Sequence, residues 1–318
     1  TSRPSDEYIG AAQKLYQWLI DPLETHLKAQ KINNLVFVVD KRFRSLPFAA
    51  LHDGQRFLIE QYSISMMPGL SLTNVQYRDL NDANILALGI SEPISTDELD
   101  NFGIRLLNPL EGIKQEINDI RNLWSGKFYL DEEATLEKII NRDANAKIVH
   151  IASNGFFIPN GVSGNSGDSY IVLWDQLLSN HQMTDLNFNS PVIELLALSA
   201  CEIGLGENYG LAGAAIRAGV KSVLGSVAIV DDKGTAILMK NFYQQLGAGH
   251  TKSEALRRAQ LSILDNTENL DNTENDIIQE RSISKAEINI LKIERDSLTN
   301  GFSHPYYWAN FIIVGSPW

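Results

Sequence analysis

The sequence predicts an α/β fold with a mainly parallel sheet that helices cover on both faces. Short apolar runs, each of a length suited to one strand, alternate along the chain with segments of helical periodicity. Strand–helix alternation is typical of parallel sheets, whose central strands are buried on both faces and therefore apolar throughout. A chain of 318 residues is long enough for one large domain or for two units of about 150 residues.

The first part of the chain begins with a predicted helix over residues 6–28, where apolar residues recur at helical spacing after Ser5, a suitable N-cap. Another helix is predicted from about Pro109, which suits a first helical position, to Trp124. Apolar runs predict the strands between these two helices, at 35–39, 62–66 and 85–90.

The second part of the chain continues the alternation. The predicted strands are 147–152, 192–200, 221–227 and 307–314. The predicted helices are 132–144, 208–218, 231–246 and 251–264. Two polar stretches interrupt the pattern. Residues 160–169 are expected to form a mobile loop, because they include a single apolar residue. Residues 265–300 contain a tandem Leu-Asp-Asn-Thr-Glu-Asn duplication and are expected to be an insertion, with a solvated helix at about 276–295.

Composition and charge exclude several function classes. The formal net charge of −12 argues against a nucleic-acid-binding surface. No apolar run approaches the roughly 18 to 20 residues of a membrane span, so no membrane insertion is expected. The single cysteine rules out an internal disulfide and fits the reducing cytoplasm. With one cysteine and six scattered histidines, no pair has zinc-ligand spacing, and no metal is predicted.

The single cysteine, Cys201, stands directly after the predicted strand 192–200 and before a glycine-rich stretch. In open α/β sheets, functional sites form at the carboxyl ends of the strands, which makes this thiol a candidate nucleophile. The alternative is a buried structural cysteine that packs like a small apolar residue.

The glycines after Cys201 only partly match the dinucleotide-binding pattern. Gly204 and Gly206 have the required spacing, but Tyr209 occupies the position of the third glycine and Gly210 comes one residue late. A nucleotide-binding site of the doubly wound type is therefore disfavoured, and no cofactor is predicted.

Four segments together resemble the CHAT domain family, a caspase-like and separase-related family often attached to TPR repeats. They are Val-His-Ile-Ala-Ser-Asn-Gly-Phe-Phe (149–157), Leu-Ser-Ala-Cys-Glu-Ile-Gly-Leu-Gly (198–206), Asp-Asp (231–232) and His-Pro-Tyr-Tyr-Trp-Ala-Asn-Phe (304–311). The resemblance runs from roughly residue 5 to residue 316. It implies a caspase-like fold of two halves, a non-catalytic half at 1–125 and a catalytic half at 126–318.

The resemblance also implies the site of a cysteine endopeptidase that needs neither metal nor cofactor. The family pattern at the first strand end is His-x-x-x-His-Gly, in which the second histidine is the catalytic base. Here His150 matches the first histidine, Gly155 matches the glycine, and Asn154 stands at the position of the base. Cys201 would be the nucleophile, and backbone N–H groups near Gly155 and Cys201 would hold the oxyanion.

Asparagine at the base position predicts negligible peptidase activity. A thiol with a pKa near 8.5 needs a base or a positive neighbour to form a thiolate at pH 7, and Asn154 cannot accept the proton. His150 stands four residues earlier on the strand, roughly 13 Å away, and is expected to be a buried histidine satisfied within the sheet. The alternative function is a pseudoprotease that binds a peptide or partner without cutting it.

The pair Asp231 and Asp232 predicts the preferred substrate. The segment 226–232 is similar to the separase segment in which an acidic residue lines the primary specificity pocket. By this resemblance the matching position is Asp231, with Asp232 as the nearer alternative. A carboxylate there would favour a basic residue, arginine before lysine, on the amino side of the scissile bond. The alternative is that an aspartate at a helix start is only an N-cap. The expected partners are a protein or peptide substrate and, by resemblance, a regulatory partner or a TPR region.

Overall fold

The structure is a computed structural model that describes residues 7–69, 77–92, 109–158, 168–200, 210–228, 230–265 and 302–318. Within these residues two sheets are present. Eight strands form the large sheet: β1 (Asn34–Phe37), β2 (Ser63–Met66), β3 (Asn84–Gly89), β4 (Gly126–Leu130), β5 (Ala146–Ala152), β9 (Leu195–Ser199), β10 (Ser222–Ser226) and β11 (Phe311–Gly315). Three strands form the small sheet: β6 (Gly155–Ile158), β7 (Asp168–Val172) and β8 (Leu177–Ser179).

The large sheet has the strand order β1-β2-β11-β10-β9-β5-β3-β4. Every neighbouring pair is parallel except β10 with β11, which is antiparallel. The sheet therefore consists of two parallel blocks that run in opposite directions, and the prediction of a mainly parallel sheet is confirmed. Strand β3 joins the block of β5 and β9, whereas β11 joins β1 and β2, so the division of the chain near residue 125 stays a prediction.

Several of the helices pack directly on one another. Among the described residues the helices are α1 (Tyr8–Leu19), α2 (Asp21–Ala29), α3 (Leu58–Gln61), α4 (Glu111–Leu123), α5 (Leu136–Ile140), α6 (Asn180–Asp185), α7 (Gly210–Arg217), α8 (Asp232–Gly247) and α9 (Lys252–Leu264). Helix α8 packs between α4 and α9, while α6 packs on α7. In the described part of the chain, no helix combines the length and the apolar character needed to cross a membrane.

Strand β9 lies in the middle of the sheet, between β5 and β10. All its residues are buried, as expected for a strand whose two faces are both covered. Its apolar run is therefore explained by its position, and the predicted strand before Cys201 is confirmed at Leu195–Ser199.

The helix predicted over 6–28 is two helices. The first ends at Leu19, and the second begins at Asp21 with Pro22 in its first turn. Proline has no N–H and its ring clashes with the carbonyl four residues earlier, so an uninterrupted helix through Pro22 is disfavoured. The apolar periodicity continues across the break and does not reveal it.

The helix predicted over 132–144 is also too long. Helix α5 ends at Ile140, and Asp143 then accepts from the backbone N–H of Asn145 at 2.8 Å and of Ala146 at 3.0 Å. This local turn competes with continuation of the helix.

The prediction of a loop over 160–169 is wrong at its carboxyl end, because Asp168 and Ser169 begin the buried strand β7. They pair with Ile158 and Phe157 of β6, a contact that the polar composition conceals. Residues 160–167, and the predicted insertion from residue 266 to residue 300, lie outside the described residues. The strand predicted over 307–314 begins only at Phe311, since Pro305–Tyr307 form a 3₁₀ turn.

Lys252 is a buried lysine that connects helix α9 to β10 and to the last residue. Its Nζ donates to Ser222 Oγ at 2.9 Å and to the main-chain oxygen of Trp318 at 2.5 Å. Burial lowers its pKa from 10.5 to about 8. Between these pH values the unfolded chain binds more protons than the folded one, so the free energy of unfolding rises with pH.

In the original chain we expect the free energy of unfolding to rise by at most about 3 kcal/mol between these pH values, and we expect this rise to be absent in Lys252→Met. The measurement is denaturant unfolding at pH 7.5 and pH 10 of both proteins, with Lys240→Met as the control because Lys240 is exposed on α8. An equal pH response in Lys252→Met and Lys240→Met would contradict the assignment.

Candidate active site

The carboxyl ends of the neighbouring strands β5, β9 and β10 lie side by side at one end of the large sheet. Ala152 of β5 is the cross-strand partner of Ser199 of β9, and Ala197 of β9 is that of Leu224 of β10. Because these strands are parallel and adjacent, the residues that follow them emerge side by side. This end is where sites form in sheets of this kind.

Asn154 follows β5, and its main chain is fixed by the small sheet. Its carbonyl accepts from the N–H of Val172 at 2.9 Å, and Gly155 opens β6 as the partner of Ile171. The preceding residue, Ser153, donates from its N–H to the Ser199 carbonyl at 3.1 Å and from Oγ to the Val172 carbonyl at 2.5 Å. The Asn154 side chain is half-buried. The base position of the family pattern is therefore held by backbone contacts that do not depend on its side chain.

The predicted nucleophile, Cys201, lies outside the described residues. It follows Ser199 by two residues, just as Asn154 follows Ala152, and Ser199 and Ala152 are paired. The structure describes the chain as far as Ala200, which is buried and whose carbonyl accepts from Ser226 Oγ at 2.8 Å.

His150 is fully buried in β5, as the sequence predicts. Its Nδ1 lies 3.1 Å from the Tyr243 hydroxyl, and its Nε2 lies 2.9 Å from Glu116 Oε1. This second contact is a close approach of two buried polar atoms, and its geometry is not that of a regular hydrogen bond. His150 is thus held within the core and does not point to the base position.

Glu116 is the centre of a buried polar network that sequence reasoning missed. Its Oε2 accepts from Ser199 Oγ at 3.0 Å, so the one carboxylate contacts β5 through His150 and β9 through Ser199. Burial, followed by the charge of Glu116, raises the pKa of Tyr243 well above its ordinary value. The available signal was that Glu116 stands in the apolar stripe of α4, three residues after Ile113 and four before Ile120.

Asp231 and Asp232 have different partners. Asp231 is the N-cap of α8, where its Oδ1 accepts from the N–H of Gly234 at 2.8 Å, so the capping role predicted for an aspartate at this helix start is present. Asp232 Oδ2 accepts at 2.7 Å from the N–H of Gly112, in the first turn of α4. Burial raises the pKa of Asp232, and the negative charges of Glu116, Asp231 and Glu111 add to that effect. Asp232 therefore lies near three other carboxylates, those of Glu116, Asp231 and Glu111.

No group of three or more His, Cys, Asp or Glu side chains that could hold a metal ion occurs in the ranges that the structure describes.

The CHAT domain model matches residues 10–316 of the chain. Among solved structures, the chain is similar to Saccharomyces cerevisiae separase in its complex with securin, at 14% identity and a TM-score of 0.51 over 95% of this chain and 17% of that one. It is also similar to RgpB of Porphyromonas gingivalis in the complex of its pro- and mature domains, at 11% identity and a TM-score of 0.52 over 97% and 69%. A third similar structure is the Arg specific cysteine proteinase gingipain R, at 11% identity and a TM-score of 0.52 over 97% and 67%. No curated protein sequence matches the chain.

At identities this low the structural likeness shows the fold alone, and the predicted caspase-like α/β class is confirmed. The chain spans only 17% of the length of the separase. The family assignment rests on the domain match instead. Because that match extends over nearly all of the sequence, the chain belongs to the CHAT domain family.

Proposed function

We propose that the protein is a CHAT-type cysteine endopeptidase domain whose site lies at the carboxyl ends of β5 and β9. The observation that carries the proposal is the pairing of Ala152 with Ser199, since Asn154 and Cys201 each follow this pair by two residues. The family match and the caspase-like fold support the same class of chemistry.

In the proposed reaction, the Cys201 thiolate attacks the carbonyl carbon of the scissile bond. Backbone N–H groups near Gly155 and Cys201 stabilise the oxyanion that forms. The C–N bond then breaks, the amine leaves with a proton, and water hydrolyses the thioester, releasing the acid and the free thiol. The proton transfers need a base, and Asn154 cannot supply one. This chain is therefore proposed to be nearly inactive.

A second candidate is a pseudoprotease that binds a peptide without cutting it. It is favoured by the way the backbone is held: the Asn154 carbonyl pairs with Val172, and Gly155 pairs with Ile171. These contacts are independent of the side chain at position 154. A site with asparagine in place of histidine can therefore keep its shape and its oxyanion donors.

For the substrate, we propose a basic residue, arginine before lysine, recognised by Asp232 with a contribution from Asp231. The raised pKa of Asp232 reflects burial beside other carboxylates, and a guanidinium placed there would relieve that repulsion with bidentate hydrogen bonds. Each aspartate accepts from one backbone N–H, so the choice of Asp232 rests on its burial beside the other carboxylates. The gingipain R structure is described as Arg specific, which supports the same preference.

The proposed partners are a protein substrate and a regulatory protein or TPR region, in a cytoplasmic setting. Support for a protein partner comes from the separase neighbour, which is in complex with securin.

The experiment is labelling of the Asn154→His chain with peptidyl chloromethyl ketones that carry arginine, lysine or aspartate next to the reactive group. Because the chain has one cysteine, an added mass reports on Cys201 alone after peptide mapping. We expect arginine to react fastest and aspartate slowest, and Cys201→Ser to remain unlabelled. Asp232→Asn should lose most of the arginine preference. The matched control is Asp21→Asn, an exposed aspartate in the first turn of α2.

Two outcomes would contradict these proposals separately. Labelling no faster than that of free cysteine, with every peptide, would contradict the peptidase site. Rapid labelling with a preference for aspartate, or an arginine preference that survives in both Asp231→Asn and Asp232→Asn, would contradict only the specificity. Thermal stabilisation by a nucleotide would instead support a nucleotide-binding domain.

A further inference from the structure

Ser226 contacts the two chain segments that flank the proposed site. It is the last residue of β10, it is fully buried, and its Oγ lies 2.8 Å from the Ala200 carbonyl and 3.0 Å from the Ala228 carbonyl. Ala200 is bonded to Cys201, and Ala228 begins the segment that leads to Asp231. One hydroxyl thus links the strand that carries the proposed nucleophile to the segment that carries the proposed specificity residues.

The hydroxyl of Ser226 is a real constraint on these carbonyls. A serine hydroxyl has a single proton, so the carbonyls of Ala200 and Ala228 share one donor that lies within hydrogen-bond distance of both. Removing the hydroxyl leaves the carbonyl of the buried residue Ala200 without this donor, which is unfavourable because a buried carbonyl needs a partner.

The end of β9 is held from other directions as well. The Ser199 carbonyl accepts from the Ser153 N–H, and Ser199 Oγ donates to Glu116. Ser226 therefore holds Ala200, the last residue before Cys201, next to Ser199, whose position is already fixed by other contacts. Loss of the Ser226 hydroxyl would release the Ala200 carbonyl, whereas the hydrogen bonds of Ser199 would remain.

We propose that Ser226 is a positioning residue of the proposed peptidase site, which holds the Ala200 carbonyl directly before Cys201 and couples it to the Asp231 segment through the Ala228 carbonyl. This inference rests on the proposed function, because it assigns Ser226 a role in placing that nucleophile. Ser226 acts through the main chain of its neighbours.

The test compares Ser226→Ala with Ser222→Ala. Ser222 is a matched control because it lies on the same strand, is fully buried and also donates to a main-chain carbonyl, that of Ser316 at 2.6 Å. It lies at the amino end of β10, away from the carboxyl edge. Both variants are expected to lower the midpoint of thermal unfolding. Only Ser226→Ala is expected to change the rate of Cys201 alkylation by iodoacetamide and the pH at which that rate is half-maximal.

A second readout uses the same two variants in the Asn154→His chain. There, Ser226→Ala should lower kcat/KM for an arginine peptide by about 10- to 100-fold, as expected for a misplaced reacting group, and Ser222→Ala should not. Ser226→Thr keeps the hydroxyl and should retain the alkylation profile. If Asn154→His is inactive, the proposed function fails, and the alkylation comparison still decides the role of Ser226. Equal alkylation profiles in Ser226→Ala and Ser222→Ala overturn the inference.

Discussion

Replacing Asn154 with histidine is expected to raise the peptidase activity of this chain by about 100- to 10,000-fold, the usual contribution of a general base. The backbone at position 154 is held by the pairing of its carbonyl with Val172, so the new side chain should start from the same place as the old one. The original side chain is half-buried, which leaves room at the sheet edge for an imidazole. The measurement is steady-state cleavage of arginine-containing peptides by both proteins.

Two further variants test whether the missing base at position 154 is what limits the activity. Cys201→Ala in the Asn154→His chain should abolish cleavage. Asn154→Gln should remain as inactive as the original chain, because glutamine cannot accept a proton either. If the original chain cleaves at a rate that Asn154→Gln leaves unchanged, while Cys201→Ala abolishes it, another base exists and the assignment of position 154 is wrong.

Replacing Glu116 with alanine is expected to lower the free energy of unfolding by about 3 kcal/mol, because buried polar groups lose their partner and a cavity remains. Glu116 and His150 are both buried and lie 2.9 Å apart, and the same carboxylate accepts from Ser199. The substitution leaves a cavity and deprives two buried polar groups of their partner. The measurement is denaturant unfolding at pH 7.

The control for this effect is Gln115→Ala, an exposed position next to Glu116 on α4, which should change stability by no more than about 0.5 kcal/mol. In the double variant Glu116→Leu, His150→Leu, no polar group of the pair is left buried alone. It should be more stable than Glu116→Ala. A loss of less than about 1 kcal/mol in Glu116→Ala would show that the carboxylate is not part of the core network.

The sequence by itself determined seven of the eight strands that the structure describes in the large sheet, and their mainly parallel arrangement. Strand β9 is apolar at nearly every position because both of its faces are covered, and that requirement is visible without knowing its neighbours. Local chemistry was visible in the same way. Asp231 could be read as a cap because an N-cap bonds to backbone only three residues away. The low apolar content of 160–169, in contrast, predicted a loop where Asp168 begins a buried strand.

Only the tertiary structure decided which side chains meet. Asp232 contacts Gly112, 120 residues away, and Glu116 contacts Ser199, 83 residues away. Periodicity tells which face of a helix or strand is buried but not which element covers it, so neither contact follows from spacing. Strand β7 escaped prediction for the same reason, since its polar residues are buried by pairing with β6. The physical reason is that a buried polar group is stabilised by a specific partner, whereas a buried apolar group needs only to leave water.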